Sequence, residues 1–374
     1  MNARNVLGGK VRYGVVGGGS IAQGHFMPGV RNTKNSDLTV LVTGDPEKAE
    51  ALKEEFGLRK TYHYDQFDEL LAADEVDALY VATPNHLHTR YVVPALEAGV
   101  HVLLEKPMAT SEDECRAMIE AAEKGGAKLM IAYRLHFEPA TISALERVRA
   151  GDIGEARVFN ATFTQALKPD NHRAQNGFDT GPVYDIGVYP INAARHFFEA
   201  EPIEVRAVGS RNPEWGLDDM DDTVSVTLRF PGDRLAHFLV SYTLNSFEHY
   251  VVAGTKGSLA FHPAFTYGHG LEFRETIGDE SEPRTFPEVD QFGSQAEYFS
   301  DCILDGLDPE PDGEEGWCDV RVAEAIRRAL ETGRPEALEP YSRSRRIEPT
   351  QVKGLAPPEP VEMVNAEDPS ENRD

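Results

Sequence analysis

Short apolar runs alternate with longer amphipathic stretches along roughly the first 135 residues. Val11–Val16, Leu38–Val42, Ala78–Ala82, His101–Leu104 and Leu129–Ala132 are rich in Val, Leu, Ile and Ala, the pattern of strands buried on both faces. Between them, 47–56, 65–71, 89–98 and 112–124 space their apolar residues three and four apart, which predicts helices. Strand and helix in alternation predict an α/β domain built on a doubly wound parallel sheet. The rhythm then changes. After a helix expected over 139–150, the segments 156–163, 203–208, 223–230, 236–244, 250–253 and 257–261 read as strands, several alternating polar and apolar as in Thr223-Val-Ser-Val-Thr-Leu-Arg-Phe230. That alternation predicts a half-buried antiparallel sheet. Helices are expected over 188–198, 291–304 and 320–332. The C-terminal domain is therefore α+β, with a large, open, mainly antiparallel sheet. The expected boundaries are 1–133, 134–345 and an acidic, Pro-containing tail over 346–374 that is expected to be poorly ordered.

Charge narrows the partners. Sixty-three Asp and Glu against 37 Lys and Arg leave a net charge of −26. Such a chain repels phosphate backbones and anionic lipid, so neither nucleic acid nor a membrane surface is an expected partner. The chain shows no apolar run of membrane-spanning length, and its first ten residues lack the apolar stretch of a secretory signal. Cys115, Cys302 and Cys318 are odd in number, scattered and without metal-site spacing. A cytoplasmic address and no metal are expected. The acidic run Asp218-Asp219-Met220-Asp221-Asp222 reads as a solvated turn.

Candidate chemistry sits at the ends of the predicted strands. Gly17-Gly18-Gly19-Ser20-Ile21-Ala22 follows the first strand and fits G-x-G-x-x-A. There Gly17 and Gly19 would let the backbone approach a pyrophosphate, with Ser20 and Ile21 opening the helix whose free amides receive it. This makes the first domain a Rossmann dinucleotide-binding domain. The second strand ends in Thr43-Gly44, where an NAD enzyme usually places a carboxylate, so NADP is expected and NAD remains possible. Lys48 would supply the cation for a 2′-phosphate. Asp45 reads as the cap of the next helix and would favour NAD if it pointed inward. Thr83-Pro84-Asn85-His86-Leu87-His88 and Glu105-Lys106-Pro107 end the next two strands, where ligands bind in such sheets. Thr83, Pro84, Asn85, His88, Glu105 and Lys106 are the candidate cofactor contacts there. A strand-tip lysine can also stabilise a reacting oxygen as its anion.

Together these motifs resemble the glucose–fructose oxidoreductase / inositol dehydrogenase family. Glu105-Lys106-Pro107-Met108-Ala109-Thr110, Met130-Ile-Ala-Tyr-Arg134 and Asp185-Ile-Gly-Val-Tyr189 look most like its branch of glucose–fructose oxidoreductase and NADP-dependent aldose dehydrogenases. The resemblance covers about residues 10–340. It implies Arg134 as a further cofactor contact. It also implies that Lys106, Asp185 and Tyr189 are catalytic, with His172 and Arg173 joining them in holding a sugar. Asp185 and Tyr189 are read as opening one helix, so that their i, i+4 spacing puts both on one face. His172 replaces an aromatic residue of the branch, and Thr180 stands in its glycine run.

The implied reaction oxidises the C1 hydroxyl of a cyclic aldose to a lactone. Tyr189 is the base, Lys106 steadies the alkoxide and Asp185 orients the sugar. Alternatives within the family are a glucose–fructose oxidoreductase-type enzyme with tightly bound NADP, and an inositol or anhydro-sugar dehydrogenase. A catalytically silent NAD(P)-binding regulator is the alternative outside enzymes; it would have no need of Lys106, Asp185 and Tyr189 together. An apolar face on the open sheet implies a homodimer or homotetramer.

Overall fold

The early apolar runs become strands: β1 (Val11–Val16), β2 (Ser36–Val42), β3 (Lys60–Tyr62), β4 (Ala78–Val81), β5 (His101–Leu104) and β6 (Leu129–Ile131). They form one sheet ordered β3-β2-β1-β4-β5-β6, with every pair parallel. The computed structural model describes residues 6, 9–168, 171–175, 177–215, 217 and 220–366, without the side chains of residues 172, 175 and 213. β4 and β5 are buried along their whole length, as a strand covered on both faces must be. β3, absent from the sequence reading, is a three-residue edge strand, Lys-Thr-Tyr, with no apolar run to mark it. The strand order reverses between β1 and β4, and that opens a crevice beyond their carboxyl ends.

The chain divides into two compact units, but not at one point. The first unit runs to Phe137 and regains Val289–Trp317 and the segment from Thr350; the second holds Glu138–Glu288 and Cys318–Pro349. This corrects the expected continuous second domain over 134–345. The cause is burial on the sheet. Tyr13 of β1 is fully buried, and its hydroxyl lies 3.0 Å from Ser300 Oγ on the helix Gln291–Leu304. Ala296, Phe299 and Ile303 of that helix enter the core with Phe26 and Tyr80.

The tail expectation is corrected too. Gln351 is buried and donates to the Glu310 carbonyl at 3.0 Å, and Lys353 pairs with Asp301 at 2.9 Å. Residues 352–366 carry almost no regular structure, so no periodicity betrayed them, but their backbone groups partner side chains of the first unit. The remaining tail, 367–374, lies outside the described residues.

The second unit is built on nine strands: β7 (Ala156–Ala166), β8 (Glu204–Ser210), β9 (Thr223–Phe230), β10 (Arg234–Ser241), β11 (Thr243–Gly254), β12 (Gly257–Phe261), β13 (Glu272–Ile277), β14 (Glu280–Thr285) and β15 (Glu336–Ala337). Their order is β14-β13-β12-β11-β7-β10-β9-β8-β15. Only β7 and β10 pair in parallel. One face is covered by the helix Val188–Phe198, whose Phe197 stacks near Phe159 and Tyr250. On the strands, Val158 and Leu235, cross-strand neighbours, remain 46% exposed each, and Phe247 48%.

One buried carboxyl gives the first unit a pH signature. Asp290 caps the helix Gln291–Leu304 through the amides of Phe292 and Gly293. Burial pushes its pKa up from 3.8 to about 6, against the pull of those amides. A raised carboxyl contributes stability that is complete below pH 3.8 and is lost as pH climbs through about 6. Asp290→Asn keeps an acceptor for the amides and removes the charge. Its unfolding midpoint should therefore gain on the parent's between pH 4 and 7, by the equivalent of roughly 1–3 kcal/mol. Parallel midpoints across that range would contradict this account.

Candidate active site

At the end of β1 the backbone turns through Gly17 at φ 99°. A Cβ there would lie 2.7 Å from the Ala82 carbonyl oxygen, so only glycine fits. Nothing lies within 4 Å of the Cβ position at Gly19, which leaves that backbone open to a ligand. Ser20 and Ile21 open the helical segment that follows, and its Ala22–Phe26 stretch is π-wound. Beside it, β2 ends at buried Thr43 and exposed Gly44. Asp45 is the helix cap: its Oδ1 accepts from the amides of Glu47 and Lys48 at 3.0 and 3.1 Å. The Lys48 stem lies against Gly18, and among the described residues no carboxylate pairs with its ammonium.

The β4 and β5 tips complete the candidate cofactor site of the first unit. Thr83 Oγ1 is buried and has no hydrogen-bond partner among the described residues. An orphan hydroxyl at a strand tip fits a bound dinucleotide, as do the Gly17 turn and the open Gly19. Pro84 and Asn85 are half-buried in the turn beyond. His88 corrects the sequence reading. It is fully buried, with Nδ1 3.1 Å from the Met108 carbonyl and Nε2 2.9 Å from the Thr83 carbonyl. Its ring ties the Thr83 loop to the Lys106 loop and has no nitrogen left for a ligand. Burial raises the Glu105 pKa, opposed by the Tyr80 hydroxyl and the charges of Lys106 and Arg134. Arg134 is itself buried, and its Nη1 donates to Gln291 Oε1 at 2.8 Å.

The second unit carries a polar cluster of its own. Asp185 Oδ2 lies 2.9 Å from the Tyr242 hydroxyl and 3.1 Å from Arg173 Nε. The Gln165 amide is 3.4 Å away. Burial works to lower the Arg173 pKa, but the negative charge of Asp185 beside it holds it above its usual value. Burial first, then the Asp185 charge, keeps Tyr242 a neutral donor well above its usual range. Thr180 bonds the Arg173 carbonyl at 2.9 Å and fixes that loop. The Tyr189 ring packs 5.6 Å from Phe163 and 5.9 Å from Phe265. Asp185 ends the helix Pro182–Asp185, and Tyr189 lies in the next, Val188–Phe198. The single helix expected to carry both is broken at Gly187, where a Cβ would sit 2.5 Å from the Val183 carbonyl. The His172 side chain lies outside the described residues, as do Asp218 and Asp219.

Sequence reasoning brought out Asp185, Tyr189 and Arg173 and missed Tyr242, which closes an apolar β10 run and looks like core. The arrangement offers a carboxylate oriented by a phenol and a guanidinium, four residues before a tyrosine. That set can hold and deprotonate a polyhydroxylated ligand.

Both units match known proteins. Residues 11–133 match the oxidoreductase family with an NAD-binding Rossmann fold, and residues 142–260 match the Gfo/Idh/MocA C-terminal domain. An NADP-dependent D-xylose 1-dehydrogenase of Haloarcula marismortui is 32% identical over 86% of this chain and 91% of its own length. The crystal structure of an aldose–aldose oxidoreductase from Caulobacter crescentus, complexed with glycerol, superposes with a TM-score of 0.84 at 36% identity, covering 88% of this chain and 100% of that one. The 3-ketoreductase KijD10 of Actinomadura kijaniata, solved with NADP and TDP-benzene, reaches a TM-score of 0.78 at 27% identity over 86% of this chain and 98% of its own. Among the described residues no helix is long and apolar enough to cross a membrane. The chain belongs to the Gfo/Idh/MocA family of oxidoreductases.

Proposed function

We propose that the chain is an NADP-dependent dehydrogenase that oxidises the anomeric C1 hydroxyl of a cyclic aldose to a lactone. The observation that carries this reading is the Asp185–Arg173–Tyr242 cluster beside Tyr189, a hydroxyl-orienting site within the second unit. Likeness to the xylose dehydrogenase and the aldose–aldose oxidoreductase supports an aldose as substrate. Bound NADP supplies the hydride acceptor. Asp185, held by Tyr242 and Arg173, takes the sugar hydroxyl next to C1 and orients the ring. Tyr189 removes the C1 hydroxyl proton as the hydride leaves C1. Lys106 donates to the same oxygen and stabilises its developing negative charge. Lys48 meets the 2′-phosphate.

A second reading has one observation in its favour, the 36% identity to the aldose–aldose oxidoreductase. In it NADP stays bound and a second sugar is reduced. NADP that survives gel filtration and denatures out with the protein would favour that reading over a released cofactor.

Removing a general base costs about 10²–10⁴-fold in rate. Tyr189→Phe should lose that much kcat with an aldose while binding NADPH as the parent does, and Lys106→Ala should lose at least as much. Near-parental turnover in Tyr189→Phe would move the base elsewhere. Lys48→Glu tests the cofactor assignment. A charge-assisted contact is worth roughly 1.5–3 kcal/mol, so KM for NADP should rise at least tenfold while KM for NAD moves little. Equal changes would remove Lys48 from the phosphate site. The exposed Val158, Leu235 and Phe247 on the open sheet support a homo-oligomer formed through that face. Light scattering at micromolar protein should give a dimer or tetramer, and Leu235→Glu should shift it towards monomer. A parent that is already monomeric would end this assignment.

A further inference from the structure

Residues 355–366 run as a strap over the first unit. The Asp290 amide donates to the Leu355 carbonyl at 2.8 Å, and Asn32 Nδ2 to the Ala356 carbonyl at 3.2 Å. Val361 packs against the core. The strap then reaches the glycine loop. Gln23 is fully buried; its Nε2 donates to the Gly18 carbonyl at 2.7 Å and the Val364 carbonyl at 3.0 Å, while its Oε1 accepts from the Val364 amide at 2.8 Å. One residue on, Asn365 Nδ2 donates to Asp45 Oδ2 at 2.9 Å and to Glu47 Oε2 at 3.2 Å.

The consequence concerns Asp45. Its Oδ1 caps two helix amides and its Oδ2 accepts from Asn365, so three of its roughly four acceptor sites are filled and its orientation is fixed on both sides. An NAD enzyme usually places a carboxylate at this strand end, where it accepts hydrogen bonds from the ribose hydroxyls. Asp45 stands two residues beyond Thr43, in reach of that role were its Oδ2 released. We propose that Asn365 is a cofactor-specificity residue, which withholds Asp45 from the ribose of NAD and so leaves the Thr43–Gly44 strand tip to the 2′-phosphate of NADP. The proposal rests on the NADP reading above, and Asn365 acts through Asp45 as a positioning residue. The same hydrogen bond is the largest cause of the lowered Asp45 pKa.

The test uses the full chain. NADPH and NADH are titrated by cofactor fluorescence into the parent, Asn365→Ala, Asp45→Ala and the double variant, and kcat is measured at saturating NADP. Asn365→Ala should tighten NADH by roughly three- to tenfold, the net worth of one ordinary hydrogen bond after exchange with water, with kcat unchanged. In the Asp45→Ala background the same substitution should change the NADH-to-NADPH ratio by less than twofold, because there is no carboxylate to release. Asn365→Asp should weaken NADPH more than NADH, through the added charge. A ratio unchanged in Asn365→Ala, or changed equally in both backgrounds, would overturn the proposal. A purely structural strap would lower the unfolding midpoint and leave the ratio alone. The ratio is read against the parent, so a parent that itself prefers NADH would refute the NADP reading and still leave the Asn365 shift to be scored.

Discussion

Three strand ends meet at one glycine. The Gly17 amide donates to the Val42 carbonyl at the end of β2, and the Ala82 amide beyond β4 donates to the Val16 carbonyl. With the Ala82 carbonyl 2.7 Å from where a Cβ would lie on Gly17, the two loops can approach only because that residue has no side chain. The Thr43–Asp45 and Thr83–His88 loops fan out from this point. The position of the crevice, the exposure of Gly19 and the orphan Thr83 hydroxyl all depend on it. A larger residue at position 17 would push the β4 tip away and, through His88, the Lys106 loop with it.

The two units solve different electrostatic problems. In the first, cations face an acidic chain: Lys48 lies along the glycine loop, and Lys106 and Arg134 oppose the burial that raises Glu105. In the second, a partly buried Asp185 is paired with Arg173 and bonded by a phenol that burial keeps neutral. A buried carboxylate without such partners would take up a proton and lose its grip on a hydroxyl. The net charge of −26 therefore belongs to the chain as a whole and says little about the polar groups of either unit.

What could be read from the sequence follows the physics of each signal. β1, β5, β9 and the helix Pro139–Ala150 have the ends expected of them. Burial wrote the strands in apolar residues, and the helix carries Pro at its start and Gly151 at its C-cap. The β13–β14 hairpin stayed hidden because Glu280–Thr285 pairs through its backbone and buries none of its side chains. The break falls at Gly187, where the Val183 carbonyl leaves no room for a Cβ, and no periodicity reports that crowding. Tyr242 resembled core because its ring is core; only its hydroxyl belongs to the site. His88 erred the other way, since its place in the Thr83–His88 motif suggested a ligand contact where the fold needed a tie between two loops. The strap was invisible because its order comes from its partners: Gln23, Asn32 and Asp290 lie far away in sequence.

The central claim is chemical: hydride leaves C1 of a cyclic aldose while its hydroxyl proton leaves for the protein. D-xylose carrying deuterium at C1, turned over with NADP and followed by NMR, tests it most directly. The account predicts that the label appears at C4 of the nicotinamide in NADPH and that the sugar product is the unlabelled lactone. Unlabelled NADPH, with deuterium still on a sugar oxidised at another carbon, would contradict it.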